Sequence, residues 1–113
     1  MADRAHLILA EALKTLEALH GADFAALFEH GSLSLGIFCP RDLDIQKPHE
    51  RDEVYVVIAG HGFFHNGDGY QACSAGDVLF VAAGVEHRFE EFSNDFATWV
   101  MFYGPQGGER NGK

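Results

Sequence analysis

Apolar and polar positions alternate with two different periods along this chain, first that of a helix and then that of short strands. From about Arg4 to His20, Leu9, Leu13, Leu16 and His20 recur at spacings of three and four, and Ala12 and Leu19 widen the stripe. This predicts one N-terminal helix, stopped by Gly21 where left-handed backbone commonly ends a helix. An apolar stripe of this kind has to cover a sheet face or a partner.

After Gly21 the period shortens. Phe24 to Glu29 and Ser32 to Phe38 read as two strands joined at His30-Gly31. The segment from Cys39 to Pro48, with two prolines and many charged or amide side chains, reads as a loop. Glu53 to Ala59 is apolar on both faces and predicts a strand covered from both sides. Gly60 to Phe64 and Gly69 to Cys73 flank Asn66-Gly67, a pair suited to a hairpin turn. Val78 to Val81, His87 to Phe92 and Phe96 to Tyr103 complete the series. The expected fold is all-β, a small barrel or sandwich of seven or eight strands with one N-terminal α-helix. Residues 1–21 form the helical part, packed on the barrel or a partner, 22–103 the barrel, and 104–113 a loose C-terminal tail. Doubly apolar strands exceed what one small closed sheet buries, so a homodimer is expected to cover the remainder.

With 113 residues there is room for one domain, and thirteen glycines match the many turns. Seventeen acidic against eight basic residues leave a formal charge of −9, with no lysine between Lys47 and Lys113. Such a surface repels phosphate backbones, so neither nucleic acid nor an anionic membrane is an expected partner. The early Asp3 and Arg4 break any secretory core, and the longest N-terminal apolar run, Leu7 to Ala10, is too short to span a bilayer. A cytoplasmic location follows as the expectation, with Cys39 and Cys73 as two separate thiols rather than a disulfide.

His49, Glu53 and His87 are the candidate chemistry. On a straight strand His49 and Glu53 would lie roughly 13 Å apart, too far to share an ion. The polar run Glu50-Arg51-Asp52 is where the chain can bend, and a bend would let His87 join them from a distant strand. Two imidazoles and one carboxylate suit Fe(II), Mn(II), Ni(II) or Zn(II) and leave positions open for water, dioxygen or a chelating ligand. Without the bend, Glu53 is a surface carboxylate and the histidines are hydrogen-bonded polar residues, the reading given to His6, His20, His30, His61 and His65.

Pro48-His49-x-x-x-Glu53 followed by Val54 to Gly60 resembles the first motif of the cupin superfamily, and Gly76-Asp77 through His87 resembles the second. The resemblance spans about residues 32–103 and implies a small single-domain cupin, a double-stranded β-helix jelly-roll barrel that is typically dimeric. It implies one divalent transition metal per chain, held by His49, Glu53 and His87. Where the family has a further histidine this chain has Lys47, and Gln46 is the preferred possible fourth ligand. Ala82 replaces a frequent proline and Glu91 a frequent asparagine. Phe38, Tyr55, Phe80, Phe89, Trp99 and Phe102 are candidates for the pocket wall, with Tyr55 inward because it shares strand parity with Glu53. The expected function is a metal-containing enzyme acting on a small molecule, oxygenase-like (a dioxygenase among the possibilities) or isomerase-like. The alternatives are a non-enzymatic metal- or ligand-binding module and a structural dimeric barrel without a functional metal.

Overall fold

The alternating segments form eight strands, and the computed structural model describes residues 6–44 and 48–110. One helix, α1 (Leu9–Glu17), precedes β1 (Phe24–His30), β2 (Leu33–Phe38), β3 (Asp52–Ala59) and β4 (His61–Asn66). Then come β5 (Gly69–Ser74), β6 (Val78–Val81), β7 (His87–Glu90) and β8 (Ala97–Tyr103). They pair antiparallel in two sheets, ordered β1-β2-β8-β3-β6 and β5-β4-β7. Inward residues of both sheets, among them Phe38, Tyr55, Val57, Phe64 and Phe89, share one core with Phe96 of the β7–β8 connection. This is the all-β fold with one helix that the sequence pattern implies, arranged as the jelly roll that the cupin resemblance implies.

The helix is shorter than its apolar stripe. It begins after Ile8, which offers no side-chain cap, and beyond Ala18 the backbone tightens into turns that Gly21 ends at φ +85°. Ala12 and Leu16 pack against Ala25 of β1 and Ile37 of β2, with Ile58 and Trp99 beside them. The helix therefore covers the β1–β2 part of the outer face of the five-stranded sheet and reaches Ile58 of β3 and Trp99 of β8.

Gly60 alone separates β3 in one sheet from β4 in the other, at φ +81°. A Cβ there would meet the Phe96 Cα at 2.8 Å, so glycine serves both the turn and the close packing. In the β4–β5 hairpin Asn66 pairs with Gly69, so the two turn residues are Gly67 and Asp68, one position beyond the Asn-Gly pair. Asn66 instead ends β4, and its Nδ2 donates to the Phe80 carbonyl at 2.9 Å.

The segment after Tyr103 departs from the expected loose tail over residues 104–110. Gly104 N–H donates to Ser32 Oγ at 3.1 Å, Gly107 N–H to the Glu50 carbonyl at 2.6 Å and Glu109 N–H to Asp52 Oδ2 at 2.8 Å. Backbone and carboxylate partners hold this segment, which apolar periodicity does not register. Among the described residues no helix is long and apolar enough to cross a membrane.

Candidate metal centre

Glu53 occupies the second position of β3, paired with Phe102 of β8 on one side and Val81 of β6 on the other. Alternation along β3 then buries Glu53, Tyr55 and Val57 on the inner face. Pairing of Tyr55 with Val100 of β8 and Leu79 of β6 sets this register, and Tyr55 and Val57 take core positions. Glu53 is thus driven inside by its neighbours.

His49 reaches it through the expected bend, which falls at Glu50 and Arg51. The loop is fixed from across the molecule: Gly84 N–H donates to the His49 carbonyl at 2.7 Å. Asp52 Oδ1 accepts the Ala83 N–H at 2.9 Å in that same turn. The turn leads into His87, the first residue of β7, whose Nδ1 lies 2.9 Å from the Val85 carbonyl. A carbonyl only accepts, so Nδ1 carries the proton and Nε2 is the atom presented to Glu53.

Glu53 Oε1 lies 3.1 Å from His87 Nε2 and 3.5 Å from His49 Nε2. One donor atom from each residue lies within 4.8 Å of the other two. Glu53 and His87 are each 1% exposed, whereas His49 is partly open. Despite their proximity, Glu53 Oε1 and His87 Nε2 make no aligned hydrogen bond to each other or to any other described group. With His87 neutral, a carboxylate oxygen and a nitrogen lone pair face each other in a buried place, which is costly unless a cation lies between them.

Burial is the largest influence on His49 and holds its pKa below the ordinary range, against the upward pull of Glu53. For His87 burial is again the largest single influence and acts downward, but Glu53 and the Val85 carbonyl outweigh it and raise the pKa. Burial thus favours the neutral form of His49, the form a ligand needs, while Glu53 favours the charged form of His87, so that a cation at Glu53 would compete with a proton there. Two imidazole nitrogens and one carboxylate oxygen form a donor set suited to a divalent transition metal. Gln46 and Lys47, the two candidates for a fourth ligand, lie outside the described residues.

His49 and Glu53 border a cavity of about 320 Å³. Phe24, Phe38, Val100 and Phe102 form its apolar wall, and Asp23 and Asp44 add two further carboxylates. Of the aromatic candidates, Phe38 and Phe102 line this cavity, and the Phe102 ring meets His49 edge-on at 4.9 Å. Tyr55 points inward, as parity requires, but it and Phe89 are sealed in the core beneath the site, with the Tyr55 and His87 ring centres 6.2 Å apart. Phe80 and Trp99 are corrections. Phe80 is 50% exposed on the outer side of edge strand β6, and Trp99 faces outward into the cluster beneath α1.

Phe24, Val100, Asp23 and Asp44 were not legible as wall residues. Asp44 is buried and its Oδ2 accepts the Phe89 N–H at 2.8 Å, tying the Cys39–Asp44 segment to the strand that carries His87. A polar loop residue gives no sign of such burial. Glu91 faces solvent at φ +51° and takes no part. Cys39 and Cys73 are separate free thiols, and burial pushes both pKa values up.

Comparison with known proteins places residues 39–103 on the family model described as "Cupin domain". The uncharacterized protein SCO3923 of Streptomyces coelicolor is 33% identical over 99 residues, covering 83% of this chain and 94% of that protein. Protein NMB1881 of Neisseria meningitidis superimposes with a TM-score of 0.68 at 14% identity, over 88% of this chain and 99% of its own. The DMSP lyase DddQ of Ruegeria pomeroyi DSS-3 has a TM-score of 0.62 at 23% identity, over 72% of this chain and 46% of its own. At such identities the two structural likenesses concern the fold.

Proposed function

This chain belongs to the cupin family, and on that premise we propose that it is a divalent-metal enzyme acting on a small molecule. Oxygenation and metal-assisted isomerisation are the nearest chemistries. The observation that carries this reading is the buried pair Glu53 Oε1 and His87 Nε2, left without hydrogen bonds beside the partly open His49. Buried acceptors that face each other are retained when a cation joins them.

In this reading Glu53 and His87 hold the ion from the core side, and His49 holds it from the cavity side. The ion, when bound, supplies Lewis-acid polarisation of an oxygen or, as iron, dioxygen chemistry. The apolar wall of Phe38, Val100 and Phe102 excludes water and packs the body of the ligand. A lyase among the structural neighbours shows that this fold accommodates catalysis in another protein.

A non-enzymatic binding module would use the same three ligands. In its favour, Asp44, the cavity's other buried carboxylate, already serves the fold by accepting the Phe89 N–H at one of its oxygens. Substrate-dependent oxygen uptake or isomerisation separates the enzyme from the module, which binds without turnover.

The experiment is elemental analysis of untagged protein purified without chelators, beside His49→Ala and His87→Ala. The expected result is one transition-metal ion per chain in the wild type and an affinity loss of at least about tenfold in each variant. Full metal content in both folded variants would overturn the assignment.

A further inference from the structure

The wall of the Glu53 cavity has an uneven chemistry. Besides Glu53 it carries Asp23 and Asp44, and its remaining surface is mostly aromatic, from Phe24, Phe38 and Phe102. Among the described residues no lysine, arginine or neutral amide donor lines it. Among the described residues, the three carboxylates that line the cavity carry more negative charge than one divalent ion would balance. The chain's formal charge of −9 deepens that potential, and low-dielectric walls focus it.

Both aspartates are held by backbone contacts. Asp44 is 2% exposed and anchored by the Phe89 N–H, and the Asp23 carbonyl accepts the Cys39 N–H at 2.8 Å. The Phe24 ring is seated by Gly36, where a Cβ would meet ring carbons at 2.7 and 2.8 Å. Carboxylates beside aromatic faces attract organic cations through charge and through the ring quadrupole, and they repel carboxylates and phosphates.

We infer that this cavity takes a positively charged organic ligand, a small amine or onium compound, in preference to an anionic one. The inference rests on the cavity being the ligand site, as proposed above. Asp23 and Asp44 are its specificity-determining residues: they meet the cationic end, and the Phe wall meets the apolar body.

The test uses two probes of similar size with negligible affinity for metals, benzyltrimethylammonium and benzenesulfonate. Each is titrated by calorimetry into metal-loaded and metal-free full-length protein. The cation is expected to bind on the order of tenfold more tightly than the anion, and more tightly still without the metal. The double variant Asp23→Asn/Asp44→Asn is expected to abolish the preference; the amide oxygen it leaves at position 44 can still accept the Phe89 N–H, which protects the fold. Equal affinities, a preference for the sulfonate, binding of neither probe, or an unchanged preference in the folded double variant would each overturn the inference. Metal analysis of the same samples separates the two readings. Absence of metal with the cation preference intact defeats the metal centre alone.

Discussion

At Glu53 burial and charge conflict. Its carboxylate is drawn inside because Tyr55 and Val57 on the same face of β3 belong in the core, and there it meets an imidazole whose Nδ1 is already committed to Val85. Removing a carboxylate from water costs several kcal/mol, and without a cation a neutral His87 returns none of it. Glu53→Gln should therefore separate stability from binding. The amide has nearly the same shape, and its N–H can donate to His87 Nε2. Urea unfolding of the metal-free variant above pH 8 is expected to show about 1–2 kcal/mol more stability than the wild type. The same variant should lose the stabilisation that added metal gives the wild type. A metal-free variant weaker than wild type would mean that Glu53 is satisfied within the protein alone.

Among the elements, the ligand-bearing segments depend on one side chain that sequence inspection placed in a polar bend. Asp52 is 5% exposed, and its two oxygens accept N–H groups from Ala83 and Glu109. Through Ala83 it holds the turn whose Gly84 fixes the His49 backbone and whose continuation carries His87. Asp52→Ala leaves two backbone donors without their acceptor and should cost about 2–4 kcal/mol in urea unfolding. Asp52→Asn keeps one acceptor oxygen and should lose about half as much. Both variants should also release metal faster, because the His49 loop is no longer held at a fixed distance from Glu53. Asp52→Ala with wild-type stability and metal retention would show that the three segments are held by other contacts.

Over the whole molecule, the fold was legible because strand alternation and glycine turns recur along most of the barrel. The grouping of His49, Glu53 and His87 was legible for a narrower reason: Glu50-Arg51-Asp52 is a polar interruption between Pro48 and the apolar run of β3, and the chain does bend there. Sidedness was harder to read. Val78 to Val81 looks uniformly buried, yet β6 is an edge strand and leaves Val78 66% exposed, so apolar content alone misplaced Phe80. Trp99 was misplaced because α1 gives β8 a second apolar face. Asp44 and Asp52 were hidden because their burial depends on distant backbone N–H groups, a property of the assembled chain.

The most direct test of the metal centre is a crystal of untagged protein, with elemental analysis naming the bound metal and anomalous diffraction collected at its absorption edge. One anomalous peak per chain is expected within bonding distance of His49 Nε2, Glu53 Oε1 and His87 Nε2 together. A metal-containing crystal whose peak lies elsewhere, or touches only one of these atoms, would contradict the account.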